Sequence, residues 1–410
     1  MALGNLRVNV TSEIGNKPLE GAVIRVVSPD EPNRVIEQTT TDSSGKTQDI
    51  ELSAPPLEYS IEPGANKPYS EYTIYIDAEG YIPVEISGAE ILSGETAIQN
   101  KKLLPIEPNN EEGTELFVIP DHTLWGDYPP KIEEPEIQPV NESGEIVLSR
   151  VVIPEYVVVH DGPPNDSSAE NYYVPYKDYI KNVASSEIYA TWTYETIVAN
   201  ILAIQSFTLN RVYTEFYRNR GYDFTITSST AYDHKWIPGR NIFQSISEVV
   251  DSIFSNFLSR PGVTQPILTQ YCDGRRVTCP GLMSQWGSQS LGEQGYSAIE
   301  IINYYYGDSM YINSTEVISG IPSSWPGFNL DIGSAGEKVR QMQTQLNVIS
   351  DGYPLIPKIT ADGIYGPATA EAVRVFQDVF DLPETGVVDF PTWYKISEIY
   401  VGVSRIAEYV

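Results

Sequence analysis

Glu187 is the residue around which a chemical reading of this sequence turns. If residues 174–211 are helical, Ile180, Val183 and Glu187 fall at i, i+3 and i+7 on one face. A carboxylate set in an apolar stripe loses water, which disfavours its charged form and raises its pKa. A general acid working near neutral pH needs that shift. The same placement suits a structural carboxylate that pairs with a buried arginine or caps a neighbouring helix. Glu195 and Asp233 are the acids available for a second catalytic role, as hydrolysis would require. The two cysteines, Cys272 and Cys279, suit a local disulfide or a pair of free thiols. A metal site needs more ligands than two thiolates, and only His122, His160 and His234 exist. A catalytic cysteine with His234 as base is a further reading that no signature supports.

The elements that must position these groups belong to a chain of 410 residues, long enough for two to four domains. Its net charge of −29 argues against nucleic acid and against anionic membrane surfaces as partners. Residues 1–150 hold 27 acids against 10 bases, so most of that charge lies at the front. The 28 tyrosines suit sugar-stacking surfaces and suit ordinary β-structure equally. No apolar run approaches a membrane span, and the first residues have neither a basic nor an apolar signal region.

Residues 1–105 read as strands, with Leu6, Val8 and Val10 alternating, as do Tyr72, Ile74 and Ile76. Turn signals at residues 42–45, 62–64 and 78–80 separate them, which predicts a β-sandwich of about seven strands. Residues 106–150 continue with prolines and glutamates that forbid a long helix. They form either a solvated spacer or a strap across the next domain, with Leu116–Ile119 and Ile146–Ile153 able to dock as strands. Residues 151–324 read as a mixed α/β unit, including the two helices around Glu187, a helix over 241–258 and another over 297–306. Residues 330–402 close the chain as a separate helical unit, with Val339, Met342 and Leu346, then Val373, Phe376 and Phe380, on its helix faces.

Residues 170–315 resemble the SpoIID family of sporulation lytic transglycosylases. Val174, Pro175, Tyr179, Val183, Glu187, Trp192 and Glu195 match its first block, and Met283-Ser284-Gln285-Trp286-Gly287 its second. The resemblance implies that Glu187 is the catalytic acid, and that Tyr179, Ser284, Gln285 and Trp286 position sugar. The chain departs from the pattern with Asn200 and Gln205 in the second helix, and with Cys279 where the family usually carries histidine. Residues 1–105 resemble carboxypeptidase-regulatory-like modules. The motifs Asp362-Gly363-Ile364-Tyr365-Gly366 and Thr385-Gly386-Val387-Val388-Asp389 resemble three-helix peptidoglycan-binding modules.

That domain order resembles the clostridial spore cortex-lytic germination enzymes. The implied fold is multidomain α+β: an N-terminal β-sandwich, a central mixed α/β SpoIID-like domain and a C-terminal three-helix peptidoglycan-binding module. The implied protein is a zymogen, stored in the spore cortex or coat region after synthesis in the mother-cell cytoplasm. A subtilisin-like germination protease would cut it between about Leu124 and Val152, freeing it to cleave cortex glycan strands without metal or cofactor. Other readings are a hydrolytic muramidase, an amidase and a non-catalytic wall-binding spore protein.

Overall fold

Alternation of buried and exposed side chains builds the front of the chain into two sheets. Its strands are β1 (Ala2–Ser12), β2 (Val23–Val27), β3 (Val35–Thr40), β4 (Ile50–Ala54), β5 (Ser70–Asp77), β6 (Val84–Ile91), β7 (Thr96–Leu103) and β8 (Glu115–Val118), with a short helix α1 (Glu58–Ile61) after β4. This is a computed structural model, and it describes residues 2–32, 34–106, 113–138, 150–278, 280–319 and 325–404. One sheet runs β3-β2-β5-β6-β8, with β8 added parallel to β6. The other carries β7-β1-β4. Leu6, Val8 and Val10 of β1 meet Ile24, Ile74, Ile76 and Ile86 in the shared core.

The middle of the chain supplies β9 (Tyr156–His160), β10 (Asn171–Pro175), α2 (Tyr176–Glu187), α3 (Tyr194–Tyr213), β11 (Ile226–Thr227) and β12 (Ile242–Phe243). It continues with α4 (Gln244–Ile253), β13 (Asn256–Ser259), β14 (Tyr271–Cys272), β15 (Met283–Ser284), α5 (Gln285–Glu293), α6 (Ala298–Tyr306) and β16 (Tyr311–Ser314). Thr193 caps α3 by accepting from the Thr196 amide, and Ser297 with Glu300 forms a capping box at α6.

The helix expected over 241–258 is interrupted at both ends. Asn241 spends its side chain on Glu90, accepting from its amide at 2.9 Å and donating to its carbonyl at 3.0 Å. That holds Ile242–Phe243 extended against β7, so β12 becomes the outer strand of a sandwich sheet. Front and middle therefore share a sheet and one continuous apolar core. They also share a buried bidentate ion pair, with Arg240 donating to Glu90 at 2.6 and 2.7 Å.

Residues 121–138 run across the middle unit as an irregular strap. The Thr123 amide and hydroxyl donate to the Ser186 carbonyl at 3.1 and 3.0 Å. The Ile132 amide donates to the Ala231 carbonyl at 2.7 Å, and the Leu268 amide to the Glu136 carbonyl at 2.9 Å. Gln270 brackets the strap, accepting from the Glu134 amide at 3.0 Å and donating to the Ile132 carbonyl at 2.7 Å. Residues 139–149, which hold the first half of the expected second strand over 146–153, lie outside the described residues. Of that strand, Ile153 forms a bridge with Ile318.

Helices α7 (Glu337–Gly352), α8 (Pro367–Val379) and α9 (Phe390–Ser404) form the C-terminal region around Met342, Leu346, Val373, Phe376 and Trp393. Two loops there are built alike. The Gln343 side chain accepts from the Gly363 amide at 2.8 Å and donates to Thr369, while Gln377 accepts from the Gly386 amide at 2.8 Å and donates to Thr392. Both glycines have positive φ, 81° and 65°, which explains the repeated residue type. The region is docked on the middle unit, with Phe390 stacked on Phe254 at 5.3 Å and Tyr394 at 4.8 Å from the same ring.

Candidate active site

Glu187 is the last residue of α2 and is only 3% exposed. The helix carries it inward because Ile180, Val183 and Ala184 on the same helix are wholly buried. Its Oε1 accepts from the Lys235 amide at 2.6 Å, and its Oε2 accepts from the Tyr271 hydroxyl. Burial pushes its carboxyl above the ordinary glutamate value, opposed by the positive charge of Lys131 and by those two hydrogen bonds. In that state the side chain leans towards the protonated form that can donate to a leaving oxygen.

Around it lie aromatic and imidazole rings. Tyr271 stacks on His234 with planes 12° apart, and His234 Nδ1 meets the Tyr179 hydroxyl at 3.0 Å. Burial, reinforced by Lys131 and Arg211, pushes His234 well below its ordinary value, so the ring is neutral. Tyr179 has no exposed surface and meets the site through His234. Gln285 donates to the Glu187 carbonyl at 2.9 Å, which fixes the backbone of the acid rather than its carboxyl. Ser284 caps α5 by accepting from the Gly287 amide at 2.9 Å. Trp286 is largely buried, 5.2 Å from Trp192 and 5.9 Å from Tyr189. Of these four residues, Gln285 bonds to Glu187 directly and Tyr179 reaches it through His234, while Ser284 is engaged in the α5 cap and Trp286 in a ring cluster with Trp192 and Tyr189.

The two other acids are committed elsewhere. Asp233 is wholly buried and accepts from Arg211 at 2.7 Å, Tyr217 at 2.6 Å and both the amide and hydroxyl of Thr227. Glu195 accepts from the Ala298 amide at 2.7 Å, at the first turn of α6. Neither carboxylate is left as a free base. Asn200, one departure from the family pattern, donates to Ser288 at 2.8 Å and ties α3 to α5.

Sequence reasoning did not single out Tyr271, Lys235 or Lys131, which are the groups nearest the acid in effect. Lys131 comes from the strap; its Nζ donates to the Asp233 carbonyl and lies 4.8 Å from the centroid of Tyr271. The strap also engages both neighbours of Glu187, through Thr123 at Ser186 and His122 at the Ile188 carbonyl, 3.3 Å. The acid is covered, and a large open space lies away from it. A cavity of 850 Å³ at the junction of the three regions is lined by Lys46, Lys101, Tyr156, Lys177, Trp236 and Lys395, and Glu187 does not line it. Cys272 is disulfide-bonded, which decides between the disulfide and free thiols the sequence left open; Cys279 lies outside the described residues. Among the described residues no cluster of three His, Cys, Asp or Glu is placed to hold a metal ion, and no helix is long and apolar enough to cross a membrane.

Residues 335–396 match the peptidoglycan binding domain family, which associates the helical C-terminal region with the cell wall. The chain is 38% identical over 77 residues to a zinc D-Ala-D-Ala carboxypeptidase of Streptomyces albus G, covering 18% of this chain and 28% of that protein. It thus spans little more than a quarter of that relative. Among solved structures it is similar to the Bacillus anthracis TIE protein, with 21% identity over 26% of this chain and 17% of that one, at a TM-score of 0.18. It is also similar to GBS52, the minor pilin of Streptococcus agalactiae, with 15% identity over 27% of this chain and 48% of that one, at a TM-score of 0.19. At these scores the two structures carry no argument. The chain is a multidomain, mixed α/β protein with a C-terminal peptidoglycan-binding region.

Proposed function

We propose that this chain is a peptidoglycan lytic transglycosylase precursor, comparable to SleC, the clostridial spore cortex-lytic enzyme, and held latent by its own front half. The observation that carries the reading is a buried, protonation-prone carboxyl at the end of α2, with no second carboxylate bonded beside it among the described residues. One acid suffices when the nucleophile belongs to the substrate. Protonated Glu187 gives its proton to the glycosidic oxygen between N-acetylmuramic acid and N-acetylglucosamine, and the C1–O bond breaks. The carboxylate so formed takes the proton of the muramic C6 hydroxyl as its oxygen bonds to C1. The ring closes as a 1,6-anhydro sugar, water is not consumed, and Glu187 ends protonated. Hydrolysis would need another base, and the commitment of Asp233 and Glu195 to structural bonds favours the one-acid route.

The C-terminal region would hold the enzyme on cortex peptidoglycan and raise its effective concentration there. Activation by a subtilisin-like germination protease is proposed after Gln138, because the strap up to that residue is hydrogen-bonded into the middle unit. Mass spectrometry of muropeptides released by the protease-cut full-length chain tests the reading. Anhydro-muramic ends, lighter by one water than reducing ends, are expected. Reducing ends alone, or identical products from Glu187→Gln, would overturn it.

A further inference from the structure

Breaking a glycosidic bond puts positive charge on the sugar, and a site that does so must accept a cation beside its acid. The strap already supplies one. Lys131 Nζ donates to the Asp233 carbonyl and lies 4.8 Å from the Tyr271 centroid and 5.7 Å from that of Phe207. The hydroxyl on the same Tyr271 ring is bonded to Glu187. Tyr271 thus has the acid at its edge and the ammonium over its face, an arrangement that attracts cations through the ring quadrupole. Lys131 is the strongest charge acting on Glu187, and Glu187 the strongest acting on Lys131. Burial draws the lysine amine below its ordinary value, and the Glu187 and Asp233 carboxylates pull it back.

The register of this lysine is fixed by the residues that follow it. Ile132 is hydrogen-bonded to Ala231, and Glu134 takes a bidentate hold on the buried Arg211 at 3.0 and 2.5 Å. Three residues apart, the strap therefore sets one charge of each sign into the middle unit, and the positive one lies over the ring whose hydroxyl bonds the acid.

We propose that Lys131 fills the cation-accepting position of the Glu187 site, so that the strap imitates the charge of the reacting sugar and the same position takes cationic sugar analogues such as protonated piperidine sugars. The inference rests on the transglycosylase reading for the word sugar, but the cation position itself is independent of activity. A neutral glycan that displaces the strap brings the same cover without the ammonium. Glu187 then loses the charge that most favours its ionised form.

The test uses the uncut full-length chain. Lys131→Ala removes a segment the size of n-propylammonium, so that ion should raise the unfolding temperature of the variant and leave the wild type unmoved. It should bind on the order of tenfold more tightly than 1-propanol, which fills the same space without charge. Adding Glu187→Gln to the Lys131→Ala background should reduce that preference. Equal effects of ion and alcohol, or an equal response of the wild type, would overturn the proposal. A second arm uses the protease-cut chain and a synthetic strap peptide, residues 121–138. Lys131→Met in the peptide should weaken inhibition on the order of tenfold, and unchanged inhibition would overturn the proposal even if Lys131→Ala does not fold. A cut chain that releases no anhydro ends refutes the transglycosylase reading, while the propylammonium result still decides the cation position.

Discussion

Two carboxylates buried against α2 are driven in opposite directions. Asp251 on α4 receives Lys177 at 2.6 Å and Lys181 at 2.7 Å, both from α2. Burial pushes its carboxyl up, but the two ammonium groups outweigh that and hold it well below the usual carboxylate range. Glu187, at the C-terminal end of the same helix, is equally dry and is pushed up. Its partners are a main-chain amide, a phenol and a lysine that belongs to the strap. Burial therefore does not set the protonation state here; the number and permanence of the charges beside the acid do. Asp251 is compensated by lysines of the helix it packs against, whereas the charge beside Glu187 is carried by the strap.

The comparison breaks if the two acids respond alike. The largest expected effect separates them by readout. In the protease-cut chain, Glu187→Gln should lower glycan cleavage by roughly 10² or more with little change in urea unfolding, because it keeps size, can accept from the Lys235 amide and donate to the Tyr271 oxygen, but ends proton transfer. Asp251→Asn should do the reverse, costing about 3–5 kcal/mol of stability by leaving two buried ammonium groups without their carboxylate. Cleavage per folded molecule should hardly change. Equal losses of activity would put both acids in one network.

A smaller effect sharpens the contrast through pH. A carboxyl raised in the fold contributes stability that is complete below its unfolded value and disappears as pH rises through the folded value. Wild type should therefore weaken relative to Glu187→Gln as pH climbs from about 4, while near neutral pH the depressed Asp251 keeps its contribution. Denaturant midpoints of the uncut chains across that range check the sign, and a difference that grows as pH falls would refute it. The smallest effect concerns the hold of the front half on the C-terminal region, where Asp381 meets Arg7 at 3.1 Å and Lys46 at 2.8 Å. These groups are partly exposed, so Asp381→Asn should cost no more than about 1 kcal/mol. It should speed dissociation of the front fragment after cutting, most clearly at low salt. No change in that rate would leave the contact without a role in retention.

Much of the framework was legible because it is local. The period of Ile180, Val183 and Glu187 gave the buried face of α2, the helix expected over 297–306 appears as α6, and the glycine-containing motifs gave the C-terminal loops. Where side chains from distant segments intervened, local pattern failed. The apolar periodicity at 242–257 reads as one helix, yet Asn241 and β7 hold its first residues as a strand.

The sequence alone determined that Glu187 is buried and what surrounds it along its own helix, since helical spacing and hydrophobicity decide both. Only the tertiary structure decided what that acid can do. Tyr271 is 84 residues from Glu187 in the chain and Lys235 is 48, and nothing in their neighbours marks them as its partners. Asp233 looks like a spare catalytic acid until Arg211, Tyr217 and Thr227 close on it. Lys131 looks like one solvated charge in a proline-rich segment until the strap lays it over Tyr271. Charge and dielectric act through space, so the identity of an acid can be read from a sequence, while its proton affinity is set by groups that only folding brings near.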